Sequence, residues 1–395
     1  MSPSSTFRSS IAEHAAHIRE LVRFEGTERV PVTDALGRVT AEAVASPFDL
    51  PLFRNSQMDG FAVRAIDATE GARLPIVGEI PAKPMTPPAL EPGTAVRIMT
   101  GAVVPAGADA VIPVEDTTVA GDTVVIGRPR AAGAYVREPG SDVRRGDELL
   151  PTDRLLAPRH LAVLAAAGIA DVLVRRRPTV AVITTGAELV GVGEEPRLGQ
   201  VFDANSIALT SAIVAAGGEV ALVARVPDDA ARMTAALEAA AIADVIVTSG
   251  GISMGDYEVV RETLEPLGAR VGSVRMQPGG PQATAVFAGV PVLCFPGNPV
   301  STQISFELFL APLLRAAAGL PRVATHTRRL TALVNSMPGT TQLLRARTVG
   351  SDWVETVSGP GSHLVAGLAA SDALIVIPED ITELQAGDGV EVIPL

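Results

Sequence analysis

The chain has 395 residues, enough for two to four domains with a substantial core. Its 44 Asp and Glu outweigh 32 Lys and Arg, and the formal net charge of −12 excludes a broad basic surface for nucleic acid. Lys83 is the only lysine, and Cys294, inside the apolar run 290–295, is the only cysteine, which excludes an intramolecular disulfide framework and a thiolate zinc site.

Hydropathy is high, yet no window of about 18 residues stays apolar and uncharged. The best candidates, 160–174 and 235–247, carry Asp171, Glu238 and Asp244. The first residues, MSPSSTFRSSIAEH, lack the apolar core of a secretory signal. The expectation is a cytoplasmic protein with no membrane span.

In chain order, Ser10-Ile-Ala-Glu13 is a capping box that opens a helix to about Phe24. Residues 27–157 are rich in proline, glycine and short valine runs such as 110–114 and 123–126, a β-rich texture. Residues 81–92 hold five prolines and read as a loop. A helix follows over 158–167, and Arg175–Pro178 reads as a domain junction.

From there strands and helices alternate. Strands are expected at 180–184, 220–226, 245–248 and 269–274, with a strand pair at 283–287 and 290–295. Helices are expected at 206–216, 230–241, 257–267 and 300–318, the signature of a three-layer domain on a mainly parallel sheet. Strands return at 328–334, 343–349, 373–377 and 389–393, a small β domain. The predicted fold is therefore α/β plus β-rich domains in a multi-domain chain. The predicted division is 1–45 with 141–177, 46–140, 178–322 and 323–395.

Open α/β sheets bind ligands beyond the carboxyl ends of their strands. Five polar loops fall there: Thr184–Leu189, Asp203–Ser206, Asp228-Asp229, Thr248–Asp256 and Pro296–Ser301. Gly250 and Gly251 would let backbone N–H groups approach an anion, and the last loop enters a helix N-terminus. Taken singly, each loop is equally turn or cap chemistry: Asn205 or Ser206 can cap a helix, and Asp228-Asp229 can be a cap pair. Together, Glu188, Asp228 and Asp256 would converge near the glycines. Carboxylates beside a phosphate site repel the ligand unless a cation bridges them, so the set predicts a Mg²⁺-dependent enzyme acting on a phosphate ester or anhydride.

The segments SQMDGFAV (56–63), RIMTGAVVPAGADAVIP (97–113), TTGAEL (184–189), DANS (203–206), TSGGISMGD (248–256) and PGNPVS (296–301) resemble the molybdopterin molybdenumtransferases of the MoeA type, which include the C-terminal region of gephyrin. The resemblance implies a four-domain, elongated homodimer with a molybdopterin-binding α/β domain and a barrel-like C-terminal domain. The implied reaction takes adenylylated molybdopterin and molybdate, releases AMP and leaves molybdenum on the dithiolene. Contact with the molybdopterin adenylyltransferase is a further implication.

By the same resemblance Asp59, Thr100, Glu188, Asp228 and Asp256 are catalytic, with Glu188, Asp228 and Asp256 on Mg²⁺. Thr185, Gly186, Asp203, Asn205, Ser249, Gly250, Gly251, Ser253, Pro296, Gly297, Asn298 and Pro299 contact the pterin substrate. Arg137 and Asp142 match a further pair near the cleft. Ser301, Arg345 and Ser371 match the molybdate pocket; a guanidinium offers several donors to a tetrahedral oxyanion.

One stretch departs from the family. Gln277 and Gly280 stand where a K-P-G-K-P-like motif has lysines, and strand alternation makes Arg275 the replacement charge. Two other readings stay open: a pterin-cofactor carrier or scaffold that has lost oxyanion binding, and a hydrolase of pyridine or dinucleotide phosphates on the same α/β domain. No Ser-His-Asp or Cys-His set stands out, and His363, after Ser362, reads as structural.

Overall fold

The computed structural model describes residues 7–252 and 259–395. The chain divides into two compact units, one of residues 29–174 and the other of residues 1–28 with 175–395. Among the described residues no helix is long and apolar enough to cross a membrane.

Strand β1 (Phe7–Ser9) leads into helix α1 (Ile11–Leu21), whose capping box forms as its sequence requires. Ser10 Oγ accepts the Glu13 N–H at 3.2 Å, and Glu13 accepts the Ser10 N–H at 2.7 Å. Ile18 and Val22 pack into the same apolar cluster as Val180, Val245 and Phe309. The expected grouping of 1–45 is thus corrected: its first helix belongs to the α/β core, because its apolar stripe is buried there.

The unit 29–174 contains strands β2 (Gly60–Val63), β3 (Arg73–Ile80), β4 (Ala95–Ile98), β5 (Ala110–Pro113), β6 (Thr117–Ala120) and β7 (Thr123–Ile126), joined in the order β5-β2-β4-β3-β7-β6. Beside this sheet, residues 44–45 pair with 148–150, and helix α2 (Pro158–Ala166) covers a cluster of Val32, Ala35, Leu150, Leu156, Leu164 and Val172. No strand or helix forms over 81–92, as five prolines dictate.

The other unit carries strands β8 (Thr179–Thr185), β9 (Glu219–Val226), β10 (Val245–Ser249), β11 (Arg270–Val274), β12 (Met276–Gln277), β13 (Pro281–Phe287) and β14 (Val290–Phe295). Seven strands form one sheet in the order β1-β11-β13-β14-β10-β8-β9. The β14, β10, β8 and β9 neighbours run parallel, with Val182 opposite both Val247 and Val223. All five residues of β10 are buried, which suits a strand with helices on both faces. Those helices are α3 (Ala204–Ala215), α4 (Ala230–Ala240), α5 (Val259–Leu264), α6 (Pro299–Ser305) and α7 (Ala311–Ala317).

The single helix expected over 300–318 is interrupted. Residues 306–310 form a π turn in which the Ala311 N–H reaches back to the Phe306 carbonyl. Pro312 has no N–H to continue an α ladder, which accounts for the widened turn. Of the cap candidates Asp203, Asn205 and Ser206, it is Asp203 that caps α3, accepting the Ser206 N–H at 3.0 Å.

Strands β15 (His326–Leu330), β16 (Thr341–Val349), β17 (Trp353–Thr356), β18 (Ala373–Ile377) and β19 (Gly389–Pro394) close into a barrel in the order β16-β17-β15-β19-β18 and back to β16. The strand expected over 328–334 stops at Leu330, and Val334-Asn335 pairs separately with Glu383-Leu384. Strand β12 adds to the barrel edge, Gln277 opposite Gln342. Leu343 and Leu374 join the core cluster of the α/β sheet, so barrel and sheet are one packed body.

Candidate active site

Strands β8, β10 and β14 end side by side, and their polar loops open into a cleft of about 980 Å³. Thr185, Gly186, Glu188, Asp203, Asn205, Asp228, Ser249, Gly250, Gly251, Pro296, Gly297, Asn298, Pro299 and Ser301 all line it. The opposite wall comes from Gln277, Pro278 and the barrel loop Pro360–His363. The expected residues Ser253 and Asp256 lie outside the described residues; of the three carboxylates expected to converge, Glu188 and Asp228 both line the cleft.

The carboxylates have different duties. Asp203 is buried; it accepts the Thr184 hydroxyl at 2.7 Å besides capping α3, so it braces the wall. Asp228 accepts the Ala187 N–H at 3.1 Å and the Thr185 hydroxyl at 3.3 Å, which fixes it against the loop carrying Glu188. Its neighbour Asp229 caps α4 through the Arg232 N–H at 2.8 Å. The Asp-Asp pair thus divides into one cap and one cleft group. A Cβ on Gly186 would stand 2.6 Å from Glu188 Oε2, so the Glu188 carboxylate folds back over this glycine.

The neutral wall is cross-linked. Asn205 donates to Ser249 Oγ at 2.9 Å and to the Gly297 carbonyl at 2.7 Å, and Ser249 meets Thr302 Oγ1 at 3.1 Å. The expectation that Gly250 offers its N–H to an anion needs correction: that N–H donates to the Phe295 carbonyl at 3.1 Å. Its glycine is required instead by φ of +98° and by a Cβ position 2.6 Å from the Thr185 carbonyl oxygen. The pair Gly250-Gly251 lets strand ends pack closely, and the cleft owes its shape to that.

Three molybdate-pocket expectations fall away from the cleft lining. Arg275 pairs with Glu379 at 2.7 Å, which holds its guanidinium above the ordinary range and takes it out of service as a replacement charge. Strand alternation fails as a guide there because β11 ends at Val274 and β12 begins at Met276. Arg345 is buried and donates to the carbonyls of Leu364, Gly359 and Gly361; burial lowers its pKa. Ser371 donates to the Leu368 carbonyl at 3.0 Å.

In the unit 29–174, Asp59 accepts the Thr100 N–H at 2.7 Å and its hydroxyl at 2.9 Å, which hold the carboxyl below its usual pKa. Asp59 and Thr100 therefore act as one hydrogen-bonded pair. Arg137 and Asp142 lie exposed in the same unit.

Sequence reasoning missed the barrel loop 360–363 and the pair Val201-Phe202 on the cleft rim. The loop's signal, a histidine after Pro-Gly-Ser, resembled ordinary turn chemistry.

No arginine or lysine lines the cleft among the described residues, whereas Glu188, Asp203 and Asp228 do. Such a cleft repels an anionic ester by itself and suits one delivered with a divalent cation. No group of three or more His, Cys, Asp or Glu poised for a metal occurs among the described residues. Fold and site together define a small-molecule enzyme of the three-layer α/β class, with an acidic cleft at the strand ends closed by a β-barrel.

The comparisons narrow this class. Residues 9–168 match the MoeA N-terminal region (domain I and II), 181–316 a probable molybdopterin binding domain, and 327–395 the MoeA C-terminal region (domain IV). The chain is 40% identical over 402 aligned residues to molybdopterin molybdenumtransferase 2 of Mycobacterium tuberculosis, covering 97% of this chain and 98% of that one. It is 35% identical to the molybdopterin molybdenumtransferase of a Nostoc species, covering 94% and 89%. The crystal structure of a molybdopterin biosynthesis MoeA protein from Pyrococcus horikoshii superposes with a TM-score of 0.81 at 34% identity, over 98% of this chain and 99% of that one. The chain belongs to the MoeA-type molybdopterin molybdenumtransferase family.

Proposed function

We propose that this chain completes the molybdenum cofactor: it takes adenylylated molybdopterin and molybdate, releases AMP and leaves molybdenum on the dithiolene. The observation that carries the reading is the cleft itself, where Glu188 and Asp228 face neutral donors at the ends of parallel strands. The homology along both units supports the same activity, and no observation favours a carrier or scaffold that has lost it.

Glu188 and Asp228 would hold Mg²⁺ together with phosphate oxygens, with Asp256, outside the described residues, a third ligand by family resemblance alone. When bound, the ion would neutralise charge on the phosphate anhydride and on the departing AMP. The chain's own part is positioning. Thr185 and the Ala187 N–H keep Asp228 turned to the cleft. The Asn205–Ser249–Gly297 network holds the pterin-side wall rigid, which is how prepaid orientation lowers a barrier. Ser301 sits on the lining at the start of α6, among donors suited to an oxyanion. By family resemblance Asp59 and Thr100 are catalytic as well.

A homodimer is supported by α3. It carries no charged residue, and Ile207 and Val214 are 58% and 63% exposed on one face. On a chain of net charge −12, an uncharged apolar stripe is where two copies can approach without repulsion. A cytoplasmic location and delivery of substrate by the adenylyltransferase fit an acidic biosynthetic enzyme that consumes an adenylylated ester.

The test is rapid mixing of the protein with adenylylated molybdopterin and Mg²⁺, with and without molybdate. AMP release that rises with molybdate and stops on chelation is expected; release unaffected by molybdate would discard the reading.

A further inference from the structure

The barrel loop that closes the cleft is built at a cost. Its anchor is Arg345, a guanidinium only 3% exposed, with Nε unpartnered and its other nitrogens on the carbonyls of Gly359, Gly361 and Leu364. Its hydrogen bonds among the described residues all go to backbone carbonyls and none to a carboxylate. Burying a cation against neutral carbonyls, with no opposite charge, costs free energy that the fold must offset elsewhere.

Two further features point the same way. Ser358, at the loop's entry, takes φ of +59°, a left-handed conformation uncommon outside glycine. A Cβ on Gly367 would stand 2.3 Å from Ser358 Oγ and 3.2 Å from Arg345 Nε, so the glycine makes room for the brace. Strained entry, buried brace and glycine together over-determine residues 359–364.

What the loop presents is His363. Its ring folds back over the backbone of Gly361, where a Cβ would lie 2.9 Å from its Cε1, and it stands exposed on the cleft wall with Ser362. Among the described lining residues it is the one side chain able to carry positive charge.

We propose that His363 is a binding residue for the tetrahedral oxyanion in this cleft, and that Arg345 is its positioning residue. Arg345 thus reaches the oxyanion through the loop it holds. The inference rests on the proposed activity for its ligand class, and two sources share that chemistry: molybdate and the phosphate of the nucleotide.

The experiment is calorimetric titration of the full chain with molybdate alone and, separately, with AMP plus Mg²⁺, so that no turnover is needed. His363→Ala should weaken one of the two by about tenfold, the scale of a lost charge-assisted hydrogen bond. The affected arm identifies the source. His363→Arg should retain binding. Arg345→Lys should weaken the same arm, and the two substitutions should be non-additive in a double-mutant cycle, which a merely structural role of Arg345 would not produce. Equal affinity of wild type and His363→Ala in both arms overturns the proposal. Loss of AMP release with this binding pattern intact would instead overturn the activity and leave the oxyanion site.

Discussion

At the scale of single residues, groups that face the cleft differ from the groups that hold them in place. Asp228 and Asp229 are adjacent, yet one faces the cleft and the other caps a helix. Asp228→Asn should therefore lower molybdate-dependent AMP release by roughly 100-fold or more, the scale of losing a preorganised charge. Asp229→Asn, a substitution that keeps capping, should cost less than about 0.5 kcal/mol in a denaturant melt. Arg275→Ala should leave turnover within about twofold, because its partner is Glu379 at the surface of the barrel.

His14 supplies a pH signature unrelated to the site. It is 2% exposed between Phe7 and Phe309, with neither ring nitrogen hydrogen-bonded, and burial, helped by His17 and Arg270, pushes its pKa down to about 3. Because the folded value lies below the unfolded one, the unfolded chain binds the extra proton. Stability is complete above the unfolded value and is lost as pH falls beneath it. Unfolding free energy should drop by about 2 kcal/mol from this group between pH 7 and 5, and His14→Phe should remove that component in urea melts at the two pH values. The acidic motif residues were legible in the sequence because glycines and carboxylates recur at successive strand ends. Arg345 was not, since a guanidinium offered to an oxyanion and one spent on carbonyls read identically as one letter.

At the scale of elements, alternation from 179 onward was readable because buried parallel strands are unbroken β-branched runs such as Val245–Val247. Strand β1 was missed: three residues, only one of them buried, become a strand by pairing with β11 and carry no period of their own. The π turn at 306–310 was likewise hidden, as the apolar pattern continues through it. The glycines of β10's loop act here too. Gly250→Ala forces a left-handed alanine against the Thr185 carbonyl and should destabilise the unit by about 1–3 kcal/mol, seen as a lowered melting temperature. Unchanged melting would show that the strand ends do not need this close approach.

At the scale of the whole molecule, the chain passes between its two compact units at Val174–Arg175, beside the change of sequence texture at Arg175–Pro178. The assignment of α1 was not foreseen, because a stripe of apolar residues does not say which core will cover it. The uncharged face of α3 carries a further expectation. Ile207→Arg should convert a dimer to a monomer in light scattering, since an isologous interface places the new charge opposite its own copy. The central claim is that one cleft couples two events, loss of AMP and gain of molybdenum. The most direct measurement is a single turnover on adenylylated molybdopterin with Mg²⁺ and molybdate, counting AMP released and molybdenum retained on the pterin in the same quenched samples. The account predicts that both appear together in equal amounts; AMP released without molybdenum on the pterin would contradict it.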